Sequence, residues 1–267
     1  YKRQPLEEGE PKEPKEPSAS VPWIGASGAA EVNGRVMWLA RGSRPDLAMA
    51  AQKIARRLSC WTRSDDAVLT RVVRYIKATT TLGLVFQGSP EDARHIAVLV
   101  LADSDHAGEI VDTKSTSGSA IVAAGLVSWA LLEWGAKKQG STSRNTTEAE
   151  LTASDFALFR GGLPLVSFLE QLLVRQVRYG LLQDNSGAVA DIRKGYSRRM
   201  AHLPRHQKVS LGALHEKLIE DPDGALEQIP SAKQLADLFT KPLSFDVFWA
   251  LALQVGCWSA TGRPALS

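Results

Sequence analysis

Cysteine is nearly absent from this 267-residue chain: Cys60 and Cys257 are the only two, and no C-x-x-C pair occurs. That excludes a disulfide framework and a cysteine-based zinc site, and it predicts two thiols in a reducing compartment. Long hydrophobic runs are missing as well. One dense stretch, VSWALLEWG at 127–135, contains Glu133. It falls short of the roughly 20 apolar residues a membrane span needs, so no membrane partner is expected. Nor is there a surplus of charge: 32 Lys and Arg stand against 29 Asp and Glu, a formal net charge of +3. So mild a balance permits a polyanionic partner without demanding one. No signal-peptide pattern is seen, and a chain that opens on Tyr1 is expected to be a piece of a longer polypeptide.

What is present divides the chain. Residues 1–20, YKRQPLEEGEPKEPKEPSAS, are rich in Pro, Glu and Lys and are expected to form a disordered tail. Residues 21–90 are expected to form a small helical unit. There Ser43-Arg-Pro-Asp46 predicts a helix start, with a capping hydroxyl, Pro in the first turn and an acid near the positive end of the dipole. Leu47, Ala50, Ile54 and Leu58 follow at helical spacing. A second start is predicted at Ser64-Asp65, and Gly83 opens a short strand. No catalytic constellation falls in this unit.

Over residues 91–245 the pattern becomes three strands, helix, strand, helices, strand, helix. This predicts an α/β fold with a mixed five-stranded sheet flanked by helices. The near-continuous apolar run 96–102 suits a central strand buried on both faces. Residues 117–124 and 126–134 are predicted as a hairpin, with Trp129 and Trp134 packing in the core. A helix carrying Glu148 and Glu150 follows 145–147, with Thr147 the better cap by type, and helix resumes over 163–174. Residues 177–183 are predicted as the fourth strand, 186–194 as a short helix, 205–219 as a longer one and 225–229 as the fifth strand. Ser231 then caps a helix carrying Asp237. Residues 246–267 are left as a C-terminal extension.

Four acids stand in settings that suit a shared centre. Asp103 ends IAVLVLAD, Glu150 lies in TTEAELTAS, Asp184 follows YGLLQ, and Asp237 sits in QLADLFTKPL. Two fall at the ends of strand-like runs and two on helical stretches. Carboxylates delivered from separate elements can converge to hold Mg²⁺, and a pair of such ions can activate water for phosphodiester cleavage. A single Asp at a strand end is as readily a turn former. Asp105, two residues past Asp103, is read as a turn or supporting residue rather than a ligand.

A series of short blocks occurs in one order: Ala102-Asp103-Ser-Asp105-His106-Ala-Gly108, Ser115-Thr-Ser-Gly118, Ser128-Trp129, Lys137-Lys138-Gln139, Thr147-Glu148-Ala-Glu150-Leu151, Asp184-Asn185 and Ala236-Asp237-Leu-Phe-Thr-Lys-Pro-Leu243. This order resembles the ribonuclease H domain of copia-type LTR retrotransposon polyproteins. Ser43-Arg-Pro-Asp46, with Arg74-Tyr75-Ile-Lys77-Ala-Thr79 and Gly83-Leu84, resembles the segment that follows the reverse transcriptase in the same polyproteins. The resemblance spans about residues 25–245. It implies a ribonuclease H-like sheet and cleavage of the RNA strand of an RNA–DNA hybrid with two Mg²⁺ ions, or Mn²⁺ in their place. Asp103, Glu150, Asp184 and Asp237 take the four acidic positions. Glu150 is preferred to Glu148 because Leu151-Thr152-Ala153 follows it as the family pattern requires, while Glu148 supports the helix N-terminus.

The same resemblance implies a reverse transcriptase domain as a partner in the parent polyprotein. No Tyr-x-Asp-Asp motif is present, so this chain is not expected to polymerise DNA. Hybrid binding is assigned to Arg193, Lys194, Arg198, Arg199, Arg205 and Lys208, with Lys137 and Lys138 and the hydroxyl-rich stretch 141–144. His106 stands where the family has Trp, and Gly212 where it has His. These departures leave the roles of His202, His206 and His215 open and motivate a second reading, a decayed or domesticated nucleic-acid-binding remnant. A DNA strand-transferase is a third, less favoured reading, since the Asp237 block belongs to the nuclease. The compartment stays open between a cytoplasmic virus-like particle and the nucleus.

Overall fold

In the computed structural model, residues 24–106 and 114–259 are described. The expected tail at 1–20 lies outside them. In chain order the elements are α1 (Gly25–Gly42), α2 (Ala48–Arg57), α3 (Arg63–Ala78), β1 (Leu82–Leu84), β2 (Ala97–Asp105), β3 (Thr116–Ala124) and β4 (Trp129–Lys138). There follow α4 (Thr146–Ala157), α5 (Leu163–Leu173), β5 (Tyr179–Gln183), α6 (Ser186–Lys194), α7 (Leu203–His206) and α8 (Leu211–His215). The last are β6 (Gly224–Gln228), α9 (Asp237–Thr240), α10 (Phe245–Gln254) and β7 (Cys257–Ser259). They group into two compact units, one of residues up to 85 together with those from 241 on, the other of residues 86–240.

The first unit is mostly helical. Its α3 opens on a capping box, Thr62 with Asp65, two residues ahead of the expected Ser64. Ser43 is not an N-cap: it closes α1 as its C-cap residue, and a short 3₁₀ turn, Pro45–Leu47, precedes α2. Arg44 and Asp46 turn inward and form a buried ion pair at 2.7 Å. Tyr75 donates to the same carboxylate at 2.7 Å, and the Arg44 guanidinium also donates to the Thr79 carbonyl and hydroxyl at 3.0 and 2.8 Å. Burial works against the Arg44 charge, but the hydrogen bond and charge of Asp46 outweigh it, and its pKa rises. Of the C-terminal stretch, residues 246–259 are described and group with this unit. Strand β7 pairs antiparallel with β1, and Phe248 and Trp249 of α10 lie 6.4 Å from the Tyr75 ring, centroid to centroid.

The second unit holds a five-stranded sheet in the order β4-β3-β2-β5-β6. Strands β2, β3 and β4 pair antiparallel, while β2 with β5 and β5 with β6 pair parallel. Strand order and direction give the mixed, ribonuclease H-like α/β fold. Central β2 is apolar for the reason expected: Val98, Val100, Leu101 and Ala102 are at most 2% exposed. Over the sheet, α4 runs through a π-helical turn, Leu158–Gly162, into α5. Glycine lets that turn pack closely on the sheet: a Cβ at 161 would fall 2.2 Å from Ile121 Cδ1 and one at 162 would fall 2.6 Å from Val100 Cγ2, so either would force those side chains to shift. By length and composition alone the stretch Thr146–Leu173 could cross a membrane. Here Leu151, Ala157, Leu158, Val166 and Leu169 of it lie in the core.

Several expected boundaries move. Strand β4 begins at Trp129 and carries Lys137 and Lys138 at its far end, because the hairpin turn is set from a distance. The Asp92 carboxylate accepts the amides of Leu126, Val127 and Ser128 at 3.0, 2.8 and 2.6 Å. Trp129 and Trp134 are half-buried on this edge strand. The helix expected over 205–219 breaks in two. Lys208 takes a positive φ of 60°, and the Ser210 hydroxyl caps α8 by accepting the Ala213 amide at 3.2 Å. Asn145, not Thr147, caps α4, accepting the Glu148 amide at 2.9 Å.

Candidate metal centre

Strands β2 and β5 run parallel, so their C-terminal ends share one edge of the sheet. Asp103 lies near the end of β2, and Asp184 directly follows β5. Glu150, one turn into α4, points at the same edge, its Oε1 accepting the Ser104 amide at 3.3 Å. One oxygen from each of these three carboxylates lies within 4.8 Å of the others. Asp103 and Glu150 are buried and Asp184 is half-buried.

Packing carboxylates this closely is unfavourable unless a positive charge joins them. Burial, then the charges of Asp103 and Asp184, push the Glu150 carboxyl up to about 8, against a smaller lowering by Ser104. An all-oxygen donor set of this size and sign fits a hard divalent cation such as Mg²⁺ or Mn²⁺.

Two buried glutamines that sequence reading passed over brace the cluster. The Gln183 amide donates to Ser154 Oγ at 3.0 Å, to Ala102 O at 3.4 Å and to Glu150 Oε2 at 3.4 Å. Gln234 donates to Ala102 O at 3.0 Å and to Asp184 Oδ1 at 3.5 Å. Ser231, expected to cap a helix, instead donates its hydroxyl to Asp184 Oδ2 at 2.7 Å. Their signal in the sequence is slight: Gln183 is the one polar residue closing an apolar strand beside an acid.

Asp237 lies outside the three-carboxylate grouping. It opens α9, 7% exposed, and Thr240 at the other end of that turn donates its hydroxyl to Asp103. Asp105 ends β2 paired with Thr116, also outside the grouping. Glu148 faces away from the cluster. It is fully buried and accepts from His202 at 3.0 Å, the Arg144 amide at 3.1 Å and Gln207 at 3.2 Å. Burial raises this carboxyl, but those hydrogen bonds outweigh it and its pKa falls.

The histidines are tied elsewhere as well. His206 Nε2 meets Thr142 O at 3.0 Å, and His215 Nδ1 meets Ile192 O at 3.0 Å. Of the stretch expected to touch sugar and phosphate, Ser143 is buried and donates its hydroxyl to the buried Gln139 at 2.8 Å. Lys137 is exposed with its Nζ 4.6 Å from the Phe156 ring centroid, and Lys138 is half-buried. Arg193, Lys194, Arg198, Arg199, Arg205 and Lys208 are all exposed, on α6 and the segment after it.

Fold and site together define an α/β domain of ribonuclease H-like topology with a carboxylate cluster at the strand ends. No protein-family model matches the chain. It is 33% identical over 111 residues to "Secreted RxLR effector protein 161" of Plasmopara viticola, a match covering 41% of this chain and 71% of that protein. The chain belongs to the same family as that protein. It is also 26% identical over 234 residues to "Retrovirus-related Pol polyprotein from transposon TNT 1-94" of Nicotiana tabacum. That match takes in 86% of this chain but only 16% of the polyprotein's length. Among solved structures, the N-terminal RNase H domain of rv2228c from Mycobacterium tuberculosis, solved as a maltose-binding-protein fusion, matches with a TM-score of 0.36 and 15% identity. That match covers 59% of this chain and 97% of the other. The fold assignment rests on strand order and direction, not on this last likeness.

Proposed function

We propose that this chain is a metal-dependent nuclease of the ribonuclease H type, cleaving the RNA strand of RNA–DNA hybrids within a copia-type retrotransposon polyprotein. The observation that carries the reading is the convergence of Asp103, Glu150 and Asp184 within 4.8 Å at one sheet edge. The relationship to a Pol polyprotein supports it. Asp103, Glu150 and Asp184 would hold two Mg²⁺ ions, or Mn²⁺, with Asp237 as the fourth acid. The bound ions would supply an activated water and charge for the leaving oxygen.

The chain's own groups have the remaining tasks. Gln183, Gln234 and Ser231 orient the acids. The exposed Arg193, Lys194, Arg198, Arg199 and Arg205, with Lys137 and Lys138, neutralise the hybrid's phosphates without reading sequence. In the parent polyprotein the helical unit would follow a reverse transcriptase domain, which is then the natural partner.

A second reading is a binding module that has lost turnover. One observation favours it: His202, His206 and His215 are each bonded to residues outside the cluster. A single experiment separates the two. The full chain is incubated with a labelled RNA–DNA hybrid and Mg²⁺ or Mn²⁺, beside Asp184→Asn. RNA-strand cleavage that disappears in the variant establishes the nuclease. Hybrid binding without cleavage under either metal establishes the binding module.

A further inference from the structure

Thr240 ends α9 and is 2% exposed, and its hydroxyl donates to Oδ2 of Asp103. The contact is built into the sheet. Asp103 pairs with Gly118 across the β2–β3 ladder. A Cβ at 118 would fall 2.5 Å from Thr240 Cγ2, 2.8 Å from Ala236 O and 3.3 Å from Phe239 Cβ. The α9 turn therefore lies against the strands at the level of the acid only because residue 118 has no side chain. Phe239 and Leu238, 0% and 2% exposed, anchor that turn in the core.

On the other side of the turn, Gln234 donates to the Ala102 carbonyl at 3.0 Å. The segment 234–240 thus grips the end of β2 at two successive residues, Ala102 through Gln234 and Asp103 through Thr240. A threonine hydroxyl has one proton to give. The other acceptors in reach, Asp237 O at 3.4 Å and Ala236 O at 3.5 Å, are distant carbonyls of its own turn.

We propose that Thr240 is a positioning residue for the acidic centre. By donating to Asp103 it holds that carboxylate in the orientation in which, with Glu150 and Asp184, it takes a divalent cation. The same bond fastens the turn carrying Asp237 to the strand carrying Asp103. A buried carboxylate fixed at one oxygen keeps its plane, and with it the direction in which the second oxygen is presented. The inference rests on the cluster being a metal centre.

The test measures Mn²⁺ binding to the full chain by electron paramagnetic resonance, with Mg²⁺ half-saturation of hybrid cleavage as a second readout. Thr240→Val keeps the shape and loses the hydroxyl, while Thr240→Ser keeps the hydroxyl. Removing a group that orients a metal ligand weakens metal affinity by about 10–100-fold, and Thr240→Val is expected in that range with Thr240→Ser close to wild type. Should Thr240→Val fail to fold, Thr240→Ala removes the hydroxyl with less bulk. Wild-type Mn²⁺ affinity in a folded hydroxyl-less variant overturns the positioning role and leaves the metal centre standing. Equal losses in Thr240→Val and Thr240→Ser overturn it too, since packing and not the hydroxyl would then matter. No Mn²⁺ binding by the wild type would overturn the metal centre itself, and the inference with it.

Discussion

Each unit of this protein buries charge, and the two do so in opposite ways. In the helical unit Arg44 and Asp46 are 4% and 2% exposed and neutralise each other, with Tyr75 and Thr79 completing their hydrogen bonds. In the α/β unit three carboxylates meet, one oxygen of each within 4.8 Å of the others. Burial and repulsion there drive Glu150 up to about 8, whereas the Arg44 charge is held more firmly than in water. A buried acid set beside a base is a fold element; a buried acid set beside other acids lowers stability and has its use in binding an ion.

The largest effect should come from breaking the compensated pair. Asp46→Asn leaves the Arg44 guanidinium buried without its counter-charge, and such losses run to about 3–5 kcal/mol. Chemical denaturation should show a lower midpoint for this variant, and an unchanged midpoint would mean the pair contributes nothing net.

The matching change in the other unit should have the opposite sign. Asp184→Asn removes one of three clustered negative charges and is expected to raise stability by on the order of 1 kcal/mol in the presence of chelator. Added Mg²⁺ should raise the Tm of the wild type and shift the variant much less, because only a folded site binds the ion. A destabilised Asp184→Asn would sink the claim that the cluster is repulsive.

Narrowest in pH range is the effect at Asp92, which refines the comparison with a carboxylate satisfied mainly by backbone amides. Hydrogen bonds from the Val127 and Ser128 amides and the Ser128 hydroxyl, with the Leu126 amide, outweigh its burial and hold it at about 2, below the ordinary 3.8. An acid with a depressed folded pKa contributes its stability above the unfolded value and loses it as pH falls through the folded one. The Tm difference between wild type and Asp92→Asn should therefore be full above about pH 4 and shrink toward pH 2. A difference that stays constant across that window would show that the carboxylate's charge is not involved.

How much of this was legible depended on how local the cause was. The apolar run of β2 and the whole of α6, Ser186–Lys194, were readable from periodicity and capping residues. The resemblance favoured Glu150 over Glu148, and in the structure an oxygen of Glu150 lies within 4.8 Å of oxygens of Asp103 and Asp184. The true start of β4 was not readable, because Asp92, 34 residues before Leu126, shapes the turn ahead of it. Nor was the break between α7 and α8, where a run of apolar spacing conceals the left-handed Lys208. Pro45 and Asp46 do open the 3₁₀ turn before α2, but the Ser43 cap and the burial of Asp46 against Arg44 were not readable, since a local motif does not show which side chains turn inward.

By itself the sequence determined the order and type of the elements of the α/β unit and which acids end strands, since both follow from side-chain period and local backbone chemistry. Only the tertiary structure decided which acids meet. Asp103 and Asp184 come together because β2 and β5 run parallel, and Glu150 joins them because α4 lies across their ends. It also decided that Thr240 reaches Asp103 past Gly118. Distances of this kind are fixed by close packing between segments far apart in the chain, which no local pattern of residues encodes.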